Sequence, residues 1–132
     1  MNRLVGTLES IEHIDSIHRL TFSVGRQKVH VLTLELSRVL EQGCEYALSC
    51  KSTHIAIAKE LNATLSFANQ LRAKITQITL GRLLASIELE VEGVSCESII
   101  PSYRVPQMDL KINDIVSILI QESEFFVLAD NP

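Results

Sequence analysis

The sequence predicts a mainly β protein made of two tandem five-stranded β-barrel subdomains, residues 1–62 and 63–132. The apolar residues are chiefly Leu, Ile and Val, which suit pleated sheets. Several short segments alternate apolar and polar residues, as half-buried strands do, and the order of these segments occurs twice. Each half is close to the lower size limit for independent folding, so we expect the halves to pack together or to oligomerise.

In the first half, strand patterns run over Leu4–Ile11, Arg19–Val24, Val29–Thr33, Tyr46–Cys50 and Thr53–Ala58. Gly6 marks a β-bulge or a close approach of two backbones. Leu36, Val39 and Leu40 have helical spacing, and Gly43 is a stop signal. This segment therefore predicts one short helix of about two turns.

In the second half, strand patterns run over Leu71–Ile78, Ser86–Val91, Ser95–Ile100, Ile115–Ile120 and Phe125–Leu128. The second of these strands alternates along its whole length, which predicts that Glu88 and Glu90 face solvent. Residues 101–109 contain two prolines and are interpreted as a loop, at the place where the first half has its helix.

The two halves align as an internal repeat of about 65 to 70 residues. The offset is 67 between Asn2 and Asn69, and it reaches 70 between Lys51 and Gln121, as small loop insertions would produce. The aligned sets are Leu20, Phe22 and Val24 with Ile87, Leu89 and Val91, and Lys51-Ser52-Thr53 with Gln121-Glu122-Ser123.

Composition excludes several functions. The net charge of −4 and the aromatic content of 5% argue against nucleic-acid binding, which needs clustered cations and stacking surfaces. Three cysteines cannot form a complete disulfide framework and have no metal-binding spacing; they fit buried small side chains. No signal peptide or membrane-spanning stretch is recognisable, so we expect a cytoplasmic protein with no membrane contact.

The segment Cys50–Ala58 carries the clearest chemical signal. Lys51 is followed by two hydroxyls, Ser52 and Thr53, and a cation beside hydroxyl and backbone N–H donors suits a small oxyanion. An exposed lysine at a strand end is the competing interpretation. The aligned segment of the second half keeps the apolar residues and loses the cation.

Three segments resemble the Mop family, which belongs to the transport-associated OB-like (TOBE) domains and whose tandem form is called di-Mop. Leu65–Ala73 resembles the family's opening S-A-R-N-x-L-x-G, Val31–Glu35 its V-V-T-L-E, and Cys50–Ile55 its closing V-K-S-T-x-V. The resemblance covers nearly the whole chain. It implies two OB-like barrels and a non-catalytic protein that binds molybdate or tungstate for storage, buffering or sensing.

In this family the oxyanion sites lie between subunits or subdomains. The resemblance places Thr33, Lys51, Ser52 and Ser66 at matching positions of this chain. It further implies a homo-oligomer, dimer or trimer, and a molybdate transporter ATPase or regulator as a partner. An alternative is an interaction or dimerisation module of such a system that has lost its ligand.

The second half departs from the family pattern. Ala68 stands in place of the opening arginine, Pro101 in place of the middle threonine, and Gln121-Glu122 in place of Lys-Ser. We therefore expect a structural copy there, and a site that depends mainly on first-half residues. Arg3 and Arg72 flank the opening motifs and are interpreted chiefly as surface charge.

Other polar residues are interpreted as structural. His13, Asp15 and His18 lack the spacing of a known metal site and are interpreted as a solvated loop, whereas His30 and His54 are isolated strand residues. No nucleophile–base set or phosphate-binding glycine loop is recognisable, so we expect no enzymatic activity. Glu122 and Glu124 would form a solvated pair on one strand face.

Overall fold

The computed structural model describes residues 2–34, 36 and 38–128. The first half contains β1 (Asn2–Ile14), β2 (Ile17–Val24), β3 (Gln27–Thr33), β4 (Glu45–Cys50) and β5 (Ala56–Ala58). The second half contains β6 (Asn69–Leu80), β7 (Leu84–Val91), β8 (Val94–Pro101), helix α1 (Arg104–Gln107), β9 (Ile115–Ile120) and β10 (Phe126–Val127). Within the described ranges, no helix is long and apolar enough to cross a membrane.

In each half, one short 3₁₀ turn precedes the last strand. The first closing turn is Ser52–His54 and the second closing turn is Glu122–Glu124. The expectation that Thr53 begins a strand is therefore wrong, since β5 begins only at Ala56. The turn reverses the chain through hydrogen bonds such as that from the His54 amide to the Lys51 carbonyl, at 3.0 Å.

The helix lies in the other half from the one expected. A helix around Leu36–Leu40 is not confirmed: the described residues there are not helical, and Glu35 and Ser37 lie outside the described residues. Instead α1 occupies the segment of the second half that was interpreted as a loop. Pro106 is compatible with this helix because amides of the first helical turn have no intrahelical partner.

The two sheets exchange their closing strands. One five-stranded sheet has the order β10-β4-β1-β2-β3 and the other has the order β5-β9-β6-β7-β8. The strand β10 pairs with β4, and β5 pairs with β9, so each sheet contains strands from both halves of the sequence. Both sheets are curled, consistent with the expected OB-like barrels. The subdomain boundary at residues 62 and 63 stays a prediction.

The internal repeat is visible in backbone details. A bulge interrupts the β1–β2 register between Leu8 and Ser10, and another interrupts the β6–β7 register between Ile75 and Gln77. Bulges of this kind strengthen the twist of a sheet. Beside them, the Gly43 amide donates to the Leu8 carbonyl and the Asn113 amide to the Ile75 carbonyl, both at 2.7 Å.

A single hydrophobic cluster draws on both halves, which confirms that they pack together. Leu20, Phe22 and Val24 point into it, as their alternation predicted. A Cβ at Gly6 would lie 2.9 Å from the Phe22 Cβ, so this glycine permits the close approach that was expected. The same alternation leaves Glu88 and Glu90 exposed.

Two asparagine bridges join the halves. Asn69 Nδ2 donates to the His30 carbonyl at 2.8 Å, and the His30 amide donates to Asn69 Oδ1 at 2.7 Å. Asn2 makes the same pair of bonds with the backbone of Glu97, at 2.9 and 2.7 Å. The carboxamides of Asn2 and Asn69 thus bind the edge strand of the other half as a neighbouring strand would, and both side chains are buried.

Replacing Asn69 by Ala should lower the free energy of unfolding by about 2–4 kcal/mol, because two partly buried backbone groups lose their partners. Urea denaturation followed by circular dichroism measures this. Gln70→Ala is the control, since Gln70 is exposed and bonds only locally to the Phe67 carbonyl. Equal losses in the two variants would contradict the structural role of the Asn69 bridge.

Candidate functional site

The two closing turns each pack on a strand of the opposite half and create two related junctions. In the first junction, the first closing turn lies against β8. In the second junction, the second closing turn lies against β3. The first contact is anchored by buried Ser98, whose hydroxyl donates to the Ile55 carbonyl at 2.6 Å.

A carboxylate lies at the centre of the first junction. The hydroxyl of Ser52 donates to Glu97 Oε1 at 2.9 Å, and the hydroxyl of Ser86 donates to Glu97 Oε2 at 2.6 Å. These bonds, first that of Ser86 and then that of Ser52, hold the pKa of Glu97 below its ordinary value. Glu97 is therefore ionised at neutral pH, between two neutral donors.

Lys51 lies beside this network and is exposed. Its backbone is extended, with φ −76° and ψ 142°, and it leads directly into the first closing turn. Among the residues that the structure describes, none forms an ion pair with the Lys51 ammonium. An exposed positive charge thus directly precedes the first closing turn in the chain.

Thr33 and Ser66 belong to the second junction. Ser66 lines a shallow pocket together with Leu32 and Ser123, and Thr33 lines the adjoining one beside the same two residues. Thr33 ends β3 and is half-buried, whereas Ser66 is exposed in the connector before β6. The two hydroxyl residues therefore lie on neighbouring parts of one surface.

The carboxylate of the second junction is paired with a cation. Arg19 Nη2 lies 2.9 Å from Glu122 Oε1, and Arg19 Nε donates to Glu122 Oε2 at 3.2 Å. This two-point geometry fits a guanidinium to a carboxylate. Glu122, aligned in the repeat with Ser52, is thus neutralised by the first half.

The two closing turns also contact each other. His54 Nδ1 lies 2.8 Å from Glu124 Oε2, and these two residues occupy equivalent positions of the repeat. The expectation that Glu122 and Glu124 form a solvated pair on a strand is therefore wrong. They lie in a 3₁₀ turn and bind different partners, Arg19 and His54.

The predicted site residues are thus divided between two places. Lys51 and Ser52 contribute to the first junction, where the aligned counterpart of Thr33 is Pro101, close to the first closing turn. Thr33 faces the second junction, where the counterpart of Lys51 is Gln121. Each closing turn packs on the opposite half. The retained Lys51-Ser52 therefore lies near Pro101, which replaces the threonine, and the retained Thr33 lies near Gln121, which replaces the lysine.

Two residues of the junctions were not found from the sequence. Glu97 and Arg19 each lie on a strand, at positions that read as ordinary surface charge. Their partners Ser52 and Glu122 are 45 and 103 residues away in sequence. The repeat alignment would have found them only if the exchange of closing strands had been known.

The remaining candidates have structural surroundings. Cys50 and Cys96 are buried, and burial raises their pKa values to about 12 and about 11, so both thiols are protonated and unreactive at neutral pH. Cys44 is exposed, contrary to expectation. His13 and His18 do not lie in a loop as expected: they are paired residues of β1 and β2, with ring centroids 4.7 Å apart and an interplanar angle of 43°. The described ranges contain no cluster of three or more metal-ligating side chains.

Comparison with known proteins agrees with this architecture. No protein-family model and no curated protein matches the sequence. Among solved structures, the chain is similar to the molybdate-bound form of the cytoplasmic molybdate-binding protein ModG, with 21% identity, a TM-score of 0.88, and coverage of 96% of this chain and 94% of that one. It is also similar to a molybdate-binding protein from Sporomusa ovata, with 29% identity over 50% of this chain and 98% of that one, at a TM-score of 0.48.

The likeness to ModG shows the fold. The tandem arrangement that the Mop-like motifs indicated is therefore confirmed as the architecture of this chain, over nearly its whole length.

The ionised Glu97 predicts a pH-dependent contribution to stability. A carboxylate whose folded-state pKa is depressed stabilises the fold above its unfolded pKa, and the stabilisation is lost as the pH falls through the folded value. Wild type should therefore be more stable than Glu97→Gln at pH 7, and the difference should shrink below about pH 4. Thermal melts of both proteins between pH 3 and 7 measure it, and a difference independent of pH would contradict an ionised Glu97.

Proposed function

We propose that this chain is a non-catalytic oxyanion-binding protein that takes molybdate or tungstate, for storage, buffering or sensing. The observation that supports the proposal most directly is Lys51, an exposed cation without an ion-pair partner among the described side chains, beside the hydroxyl of Ser52. The ModG-like fold, found in a protein that binds molybdate, adds independent support.

The chemistry of the ligand fits this arrangement. A tetrahedral dianion needs one or more positive charges and several short N–H or O–H donors. Lys51 supplies the charge and Ser52 a hydroxyl at the first junction, while Thr33 and Ser66 supply hydroxyls at the second. Neither set surrounds an ion, so we propose that each site is completed by a second copy of the chain, in a homo-oligomer that is a dimer or a trimer.

A second candidate function is an interaction module without a ligand, which would dock on a molybdate transporter ATPase or regulator. The carboxylate of Glu97 at the first junction favours it because it repels a dianion, whereas Glu122 at the second junction is already paired with Arg19. Large apolar side chains at equivalent hairpin ends of the two halves favour it as well, since Ile14 is 74% and Leu83 is 82% exposed. Exposed patches of this type mark contact surfaces.

Titration with molybdate by calorimetry should give saturable binding, and Lys51→Ala should weaken it by about 10- to 100-fold, as expected for a lost bond to a charged group. Tungstate and sulfate, titrated in parallel, measure selectivity. Lys74→Ala is the control, because Lys74 is an exposed lysine of β6 away from both junctions. The absence of heat and of any thermal shift at millimolar molybdate would exclude the proposal and favour the interaction module.

Ser66→Ala tests the second junction separately. If the Ser66 hydroxyl donates to the oxyanion, its removal should weaken one class of sites by about 2- to 10-fold, the range of a neutral hydrogen bond. Ser95→Ala, which removes an exposed hydroxyl from β8, is the matched control. An unchanged isotherm for Ser66→Ala would place binding at the first junction alone.

A further inference from the structure

The most unusual feature of the first junction is that the Ser52 hydroxyl already donates a hydrogen bond to an anion, the Glu97 carboxylate. Ser52 donates to Glu97 Oε1, and Ser86 donates to Glu97 Oε2. Each carboxylate oxygen therefore accepts one short hydroxyl bond, as an oxygen of a bound oxyanion would. The Ser52 hydroxyl has a single proton to donate, so it cannot serve Glu97 and an external anion together.

The position of this carboxylate is enforced by the backbone. Asn2 bonds to both the amide and the carbonyl of Glu97. In the β7–β8 ladder, Glu97 also pairs with Glu88. Strand β8 is therefore held by β7 on one edge and by Asn2 on the other. The Glu97 side chain lies on the outer face of this strand, where it contacts Ser52 of the other half.

The carboxylates of the two junctions have different partners. At the second junction, the carboxylate comes from the closing turn, at Glu122, and Arg19 neutralises it. The first junction reverses this: the carboxylate comes from the strand, and its two hydrogen-bond donors are neutral hydroxyls. The charge of Glu97 therefore remains uncompensated by its hydrogen-bonding partners.

We propose that Glu97 is a specificity-determining residue whose carboxylate acts as a tethered anion at the first junction. It occupies the Ser52 donor and its negative charge repels a second anion, and so it competes with the external oxyanion. This inference rests on the proposed function, because it concerns the same Lys51–Ser52 site. The wild-type chain should therefore bind the oxyanion at the first junction more weakly than the same site would without the Glu97 carboxylate.

The test is calorimetric titration of the full chain with molybdate in four forms: wild type, Glu97→Gln, Glu97→Gln with Lys51→Ala, and Glu90→Gln. Glu97→Gln keeps the shape of the side chain and removes its charge. Glu90→Gln is the matched control, because it removes one exposed carboxylate from the adjacent strand β7. We expect about tenfold tighter binding for Glu97→Gln and no gain for Glu90→Gln.

The double variant assigns the gain to the first junction. With Lys51→Ala added, the gain should disappear, because the external oxyanion then lacks the cation proposed to hold it beside Ser52. A gain that survives Lys51→Ala, or affinity no higher in Glu97→Gln than in wild type, would overturn the role of Glu97. Glu97→Ala is a second variant with the same expectation, and in both variants the two Asn2 bonds to residue 97 persist because they go to its main chain.

The results also separate this inference from the proposed function. Saturable wild-type binding with no effect of Glu97→Gln removes only the role of Glu97. No wild-type binding together with binding by Glu97→Gln removes the proposed function of the native chain and keeps the role of Glu97. No binding by either protein overturns both.

Discussion

The arrangement of both junctions depends on the two asparagine bridges. In each, one carboxamide satisfies the amide and the carbonyl of a single residue on an edge strand, as a neighbouring strand would. Because Asn2 and Asn69 open β1 and β6, the bridges fix the start of each half against the third strand of the other. Burial makes these bonds costly to break, and the closing turns then reach β8 and β3 at defined positions.

This geometry explains why loss of motifs in the second half affects both junctions. A closing turn supplies its polar residues to the opposite half, so each of the proposed sites would take a closing motif from one half and a middle strand from the other. Here the retained closing motif, Lys51-Ser52, lies near Pro101, and the retained Thr33 lies near the turn that contains Glu122. Each junction therefore has only part of the proposed set of ligands, although most of the departures from the Mop-like motifs are in the second half.

Much of the fold was predictable from the sequence, because alternation reports which face of a strand is buried. Leu20, Phe22 and Val24 are an example. Other features depend on distant contacts and leave no local pattern. The spacing of Leu36, Val39 and Leu40 resembles a helix, yet Val39 is 89% exposed and so does not belong to a buried helical face. Four candidate site residues could be named from motifs. Their division between two junctions could not, since it follows from strand exchange, which pairs residues far apart in sequence.

The exchange of closing strands constrains how the protein is made. The first sheet is completed by Phe126 and Val127, which pair with Ser49 and Leu48 of β4. During synthesis from the N-terminus, the edge of β4 therefore stays open until β10 has left the ribosome. The first half cannot finish folding as an independent unit, and its unpaired edge is exposed to other nascent chains during that interval. The first sheet is therefore completed only after β10, which belongs to the second half, has been synthesised.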